Sequence, residues 1–204
     1  MAKNYWLHRS PEVASGGKLK LSLLVPLLGL TIIAFIVMGS EGAIEQWSKL
    51  YLKDVINITT ERIAGLGFLL FSIGMALGRF LGDGVSKRLG AMKTIMTGCL
   101  LGIIGYAGVI LGISWVVIFS FGVIGLGFSV IIPELLRLAG KTKGVHSADG
   151  ISLVAGAGFI GFLSSPPLMG FLADYSSLVL SFSVMAVGCV IALLVAFVLS
   201  KRTH

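Results

Sequence analysis

Charge is what this 204-residue sequence has least of. Asp, Glu, Lys and Arg make up 12% of it, against about 25% in soluble globular domains. With 56% hydrophobic residues and a mean hydropathy of +1.00, the chain is too apolar for a soluble globule and reads as a membrane protein. Histidine is scarce as well. His8, His146 and His204 all fall in tails or connections, so none is available inside an apolar segment as a metal ligand or general base. The two cysteines, Cys99 and Cys189, fall in different apolar runs. They are expected to be small buried apolar residues, with no disulfide and no redox role. A phosphate loop is also missing: Gly140-Lys141-Thr142 echoes one, but Leu135 and Leu136 stand where its first glycine belongs. The expectation is a protein that is not an enzyme and uses no metal or cofactor.

What is present is long apolar runs. A hydrocarbon core of about 30 Å needs about 20 apolar residues per helix. Walking between charges gives six spans, Leu21 to Ser40, Ile63 to Gly82, Thr94 to Gly112, Trp115 to Leu136, Ile151 to Ala173 and Leu178 to Ser200. The expected fold is all-α and polytopic. Residues 1–20 form a cytoplasmic tail or linker stub, 21–200 a six-helix bundle and 201–204 a short cytoplasmic tail. The first run is too long for a secretory h-region and lacks a small-residue cleavage site, so it is expected to be a retained helix.

The net charge of +7 follows the topology. Lys3, Arg9, Lys18, Lys20, Arg79, Lys87, Arg88, Lys93, Arg137, Lys141, Lys143, Lys201 and Arg202 fall on one side, and only Lys49, Lys53 and Arg62 on the other. By the positive-inside rule both termini are cytoplasmic, and the basic excess needs no nucleic acid. The carboxylates of Glu41, Glu45, Asp54 and Glu61 fall in the one sizeable outer segment, Glu41 to Glu61. Asn57-Ile58-Thr59 there fits a glycosylation sequon or a turn before a helix capped by Thr59 or Thr60.

Glycine and proline mark packing and bends. Gly74, Gly78 and Gly82 recur every fourth residue of the second span, and Gly98 and Gly102 in the third, giving smooth stripes for close helix approach. Pro133 and the Pro166-Pro167 pair interrupt the hydrogen bonding of the fourth and fifth spans, either as broken helices near a cavity or as kinks relieved by Ser164 and Ser165. The second span ends Gly78-Arg-Phe-Leu-Gly-Asp83 and the fifth Gly170-Phe-Leu-Ala-Asp174. Spans three apart with matching, oppositely placed ends suggest a 3+3 inverted repeat.

The segment Gly78 to Gly90, GRFLGDGVSKRLG, resembles the cytoplasmic loop motif of the major facilitator superfamily, found between the second and third helices of each six-helix half. The resemblance implies that Asp83 is the acidic member of an inner gate, Lys87 and Arg88 the basic ones, and Gly78 and Gly82 close-approach positions. Arg79 and Ser86 stand where the commonest version has glycine, and Gly90 closes the motif. Glu41 to Ser48, EGAIEQWS, resembles the E-G-A-x-x-D-W-S pattern at the outer end of the seventh helix in a branch of small bacterial inner-membrane facilitators, with Gln46 in place of Asp. Ser165 to Asp174 is similar to a run of the eleventh helix in that branch. The chain thus looks like helices seven to twelve of such a carrier.

What this implies is secondary-active transport by alternating access of an unknown small solute, with H+ as the expected coupling ion. The partners are the lipid bilayer and a second six-helix half, on a separate chain or in a homodimer. If the first helix continues past Ser40, Glu41, Glu45 and Ser48 share one face, and the two carboxylates become candidates for proton coupling. Trp47 beside them reads as a cavity-mouth residue or, preferably, an interfacial anchor. The alternative is a non-transporting membrane protein or a truncated remnant of a carrier.

Overall fold

The computed structural model describes residues 21–202, and among them there is helix and no strand. Eight helices form six membrane-length segments: α1 (Leu21–Asp54), α2 (Glu61–Ala64) with α3 (Leu66–Leu89), α4 (Ala91–Ile110), α5 (Ser114–Phe128) with α6 (Ile131–Ala139), α7 (Ser147–Tyr175) and α8 (Leu178–Arg202). Each segment is long and apolar enough to cross a bilayer. The tail read at residues 1–20, with Lys3, Arg9, Lys18 and Lys20, lies outside the described residues.

The first span corrects the sequence reading. It does not stop at Ser40, and Glu41 to Asp54 is not an outer loop but the second half of α1. The reason is periodic. Ser40, Ala43, Ile44, Ser48, Tyr51 and Leu52 are all buried, so the helical stripe that packs inward continues past the carboxylates, which lie along its flank. Charge marked a boundary that the backbone does not have.

Packing follows a pattern of two related triplets. The fifth span lies along the first as the second lies along the fourth, and α4 and α8 contact each other across the centre. Glycine sets the close crossings in both pairs. A Cβ on Gly161 would strike the Phe35 carbonyl of α1, and one on Gly125 the Phe71 carbonyl of α3. The stripe of Gly74, Gly78 and Gly82 lies against Gly122, Ser129 and Val130, while Gly98 and Gly127 face each other between α4 and α5. Without hydrocarbon exclusion to drive helices together, such close van der Waals contact is what holds a bundle in lipid.

Toward one end, an aromatic cluster joins four helices. The Tyr51 hydroxyl donates to the Val109 carbonyl at 2.9 Å, tying α1 to α4. Its ring meets Phe182 of α8 edge-on at 4.8 Å, and Phe121 of α5 meets the same ring at 5.8 Å. Cys99 and Cys189 are buried and unbonded to each other.

The two proline sites behave differently. The fourth span breaks at Ser129-Val130, because Pro133 lacks the N–H that would serve the Ser129 carbonyl. The fifth stays one helix through Pro166-Pro167. There Ser165 Oγ donates to the Phe162 carbonyl at 3.3 Å, the very acceptor that Pro166 leaves without its amide, and Ser164 Oγ donates to Gly161 at 3.2 Å.

Candidate functional site: a cavity lined by a carboxylate and a guanidinium

Extending α1 moves Glu41 from the edge of the apolar layer to the middle of the 28-residue span Leu27–Asp54. It lines a cavity of about 200 Å³ together with Arg79 of α3 and Ser129 at the break of the fourth span, walled by Met38, Met75, Phe128, Ile132, Pro133 and Leu136. Arg79, read from the sequence as part of the cytoplasmic loop motif, stands one turn before the end of the apolar span Glu61–Gly82, toward the end of α3 that carries Lys87 and Arg88. Glu41 and Arg79 do not form an ion pair within 4.0 Å; the ion pairs among the described residues lie elsewhere.

The other sequence candidates on α1 do not share the setting of Glu41. Glu45 is exposed, while Ser48 is fully buried and its hydroxyl has no partner. Helical spacing put the three on one face, but the neighbours that cover that face differ from turn to turn. Trp47 is half-buried, and its ring lies 3.3 Å from where a Cβ on Gly170 of α7 would be, so it packs on a helix. Asp174 is exposed on the last turn of α7.

At the end that carries Lys87, Arg88 and Lys141, the structure supplies a link that the sequence reading missed. Arg137 of α6 pairs with Glu134 one turn earlier and donates from Nη2 to Ser86 Oγ of α3 at 2.9 Å. Glu134 and Ser86 are both buried, which makes this a charge-assisted clasp between the second and fourth spans. Lys87 and Arg88 are exposed, and Gly90 turns the chain into α4 at φ 81°, a conformation that suits glycine. The Asp83 side chain, expected to be the acidic member of the gate, lies outside what the structure describes. The missed signal was faint: Glu134 and Arg137 are an i,i+3 pair, but nothing in the sequence ties them to Ser86. At the opposite end Glu61 pairs with Lys49 and Lys53, each at 2.6 Å, bridging the end of α1 to the start of the second span.

Six apolar helices, with a carboxylate and a guanidinium lining one cavity between the first and second spans and the break of the fourth, define a polytopic helical membrane protein. Residues 30–204 match the Major Facilitator Superfamily, and the chain belongs to that family. It is 30% identical to an uncharacterized MFS-type transporter of Yersinia pestis, over 83% of this chain and 43% of the relative. It is 32% identical to membrane protein MosC of Rhizobium meliloti, over 81% of this chain and 41% of that one. A crystal structure of the peptide transporter POT in complex with sulfate superposes with a TM-score of 0.78 at 19% identity, covering 87% of this chain and 38% of that one. The chain therefore spans less than half the length of the relatives it matches. Family and superposition together give it an all-helical, MFS-type fold.

Proposed function

We propose that the chain is the C-terminal half of a secondary-active carrier of the small bacterial inner-membrane branch, with both termini cytoplasmic, and that it works by alternating access coupled to H+. The carrying observation is that Glu41, at the middle of its span, and Arg79, near the end of its own, line one cavity. Ionisable side chains in the hydrocarbon layer are costly unless they line a water-filled cavity or meet a partner, and are retained for function. Arg79 and Glu45 are exposed in this six-helix unit. A second six-helix half, closing over that face, would shelter both from lipid and complete the cavity.

In this reading Glu41 takes up and releases the coupling proton. Glu45, one turn away and exposed, is the second candidate. The Glu134–Arg137–Ser86 clasp, with Asp83, Lys87 and Arg88 beside it in sequence, holds the basic end closed while the other end is open. Breaking it frees the second and fourth spans to move apart, and the glycine crossings supply the surfaces along which they slide. The test is proton flux in vesicles that hold the chain together with its second half. Glu41→Gln is expected to abolish coupled flux and Glu45→Gln to reduce it. Flux in Glu41→Gln equal to the parent's would refute the coupling role.

A further inference from the structure

The cavity carries more chemistry than proton coupling requires. It holds one carboxylate and one guanidinium, on different helices and not paired with each other, and between them its walls are thioether, phenyl and aliphatic groups. A third feature is the break at Ser129-Val130, which brings the first turn of α6, with Ile132 and Pro133, to the cavity wall. A helix N-terminus there adds partial positive charge on the Arg79 side of the balance.

We infer that this cavity binds a small zwitterionic solute, its cationic group against Glu41, its anionic group against Arg79, and a short apolar body between them. The inference rests on the transport reading for its purpose, and on the cavity alone for its chemistry. A solute with only a positive charge would satisfy Glu41 and leave the Arg79 guanidinium without a counter-charge once the site closes to water. A solute with only a negative charge would strand Glu41 in the same way. An uncharged solute would strand both, and a buried charge left unpaired opposes binding more strongly than a formed pair favours it. An amphoteric solute answers both charges at once. Its carboxylate can accept two parallel N–H bonds from the guanidinium, which fixes its orientation as well as its position. The methionines Met38 and Met75 suit a site that accepts apolar bodies of varied shape, because the thioether chain is flexible and polarizable. The specificity expected is therefore strict for the two charges and loose for what lies between them.

The test uses the chain co-purified with its second six-helix half in detergent and two matched series: leucine, leucine methyl ester and N-acetyl-leucine, and the dipeptide alanyl-leucine with its ester and its N-acetyl form. Each series keeps the apolar body and removes one charge at a time. Binding is read by calorimetric titration and by thermal shift. The zwitterion of at least one series should bind about tenfold or more tightly than either capped analogue. Glu41→Gln should erase its advantage over the N-acetyl form, and Arg79→Gln its advantage over the ester, while Arg79→Lys should restore part of the loss. Absence of zwitterion binding in both series, or a zwitterion preference unchanged by Arg79→Gln in a protein of parental helicity, would overturn the inference. Solute flux in vesicles separates this from the broader reading. Flux without zwitterion preference sinks the inference and leaves the carrier standing; zwitterion binding without any flux does the reverse.

Discussion

Gly42 offers a sharp test of the packing argument, because it sits one residue from Glu41 and directly against the proline-disturbed turn of α7. A Cβ added there would lie 2.5 Å from the Phe162 carbonyl oxygen and 3.1 Å from Ser165 Oγ. The first is backbone and cannot swing away. Reaching an ordinary contact of about 3.4 Å requires α1 and α7 to separate by somewhat less than 1 Å, along the most extensive helix pair in the bundle. The same carbonyl is the acceptor that Pro166 deprives of its amide and that Ser165 serves at 3.3 Å, so the intrusion also strains a hydrogen bond with no substitute. Overpacking of this kind costs about 1 to 3 kcal/mol. For a chain of this size each kcal/mol corresponds to a shift in Tm of about 2–4 °C.

The control is the identical substitution at Gly156 of the same helix pair's α7, where an added Cβ meets nothing within 4 Å. There the alanine should be neutral or slightly stabilising, since glycine within a helix costs about 0.5–1 kcal/mol relative to alanine. Fluorescence-monitored melting in one detergent should place Gly42→Ala several degrees below the parent and Gly156→Ala at or above it. Equal melting of the two variants would refute the reasoning, because helix propensity and composition are the same in both and only the contact differs.

Other consequences are quicker to check. Tyr51→Phe removes the buried bond to the Val109 carbonyl while keeping the ring against Phe182; it should lower stability by about 1 kcal/mol in the same melting assay. Ser86→Ala takes away the hydroxyl that receives the Arg137 guanidinium; in paired-cysteine crosslinking across the basic ends of the second and fourth spans, it should lower the yield by weakening the clasp. Glu61→Gln should leave the melting temperature close to the parent's, since its partners Lys49 and Lys53 are solvent-exposed. Cys99 and Cys189 are buried, so a maleimide should label neither in the folded protein and both after denaturation in dodecyl sulfate.

The six apolar runs were legible because charge is so scarce that each connection announces itself, and the close-packing role of Gly74, Gly78, Gly82, Gly98 and Gly102 followed from a fourfold spacing that only a helix turns into a stripe. Depth was not legible. Counting spans by stopping at charges places Glu41 at a boundary by construction, whereas the buried stripe of Ala43, Ile44, Ser48, Tyr51 and Leu52 carries the helix on to Asp54. Pairing two residues from different spans needs the packing angle of α1 on its neighbours, which no single segment contains, and so the Glu41–Arg79 cavity was out of reach of the sequence. The clasp was hidden for a related reason: Ser86 and Arg137 are separated by 51 positions. The prolines marked a real weakness in both spans, but whether the helix breaks depends on a local donor. Ser165 and Ser164 supply one in α7, and the fourth span has no equivalent at Pro133.

The central claim is that Arg79 lines a water-accessible cavity shared with Glu41 and does not face lipid. On a background with Cys99 and Cys189 replaced by alanine, Arg79→Cys and its neighbour Phe80→Cys, whose native side chain is 87% exposed, can be compared in intact membranes with a small, charged methanethiosulfonate reagent. Such a reagent needs water to reach a thiolate. Rapid labelling at position 79 with little at 80 is the predicted result; an unreactive cysteine at 79 beside a reactive one at 80 would contradict it.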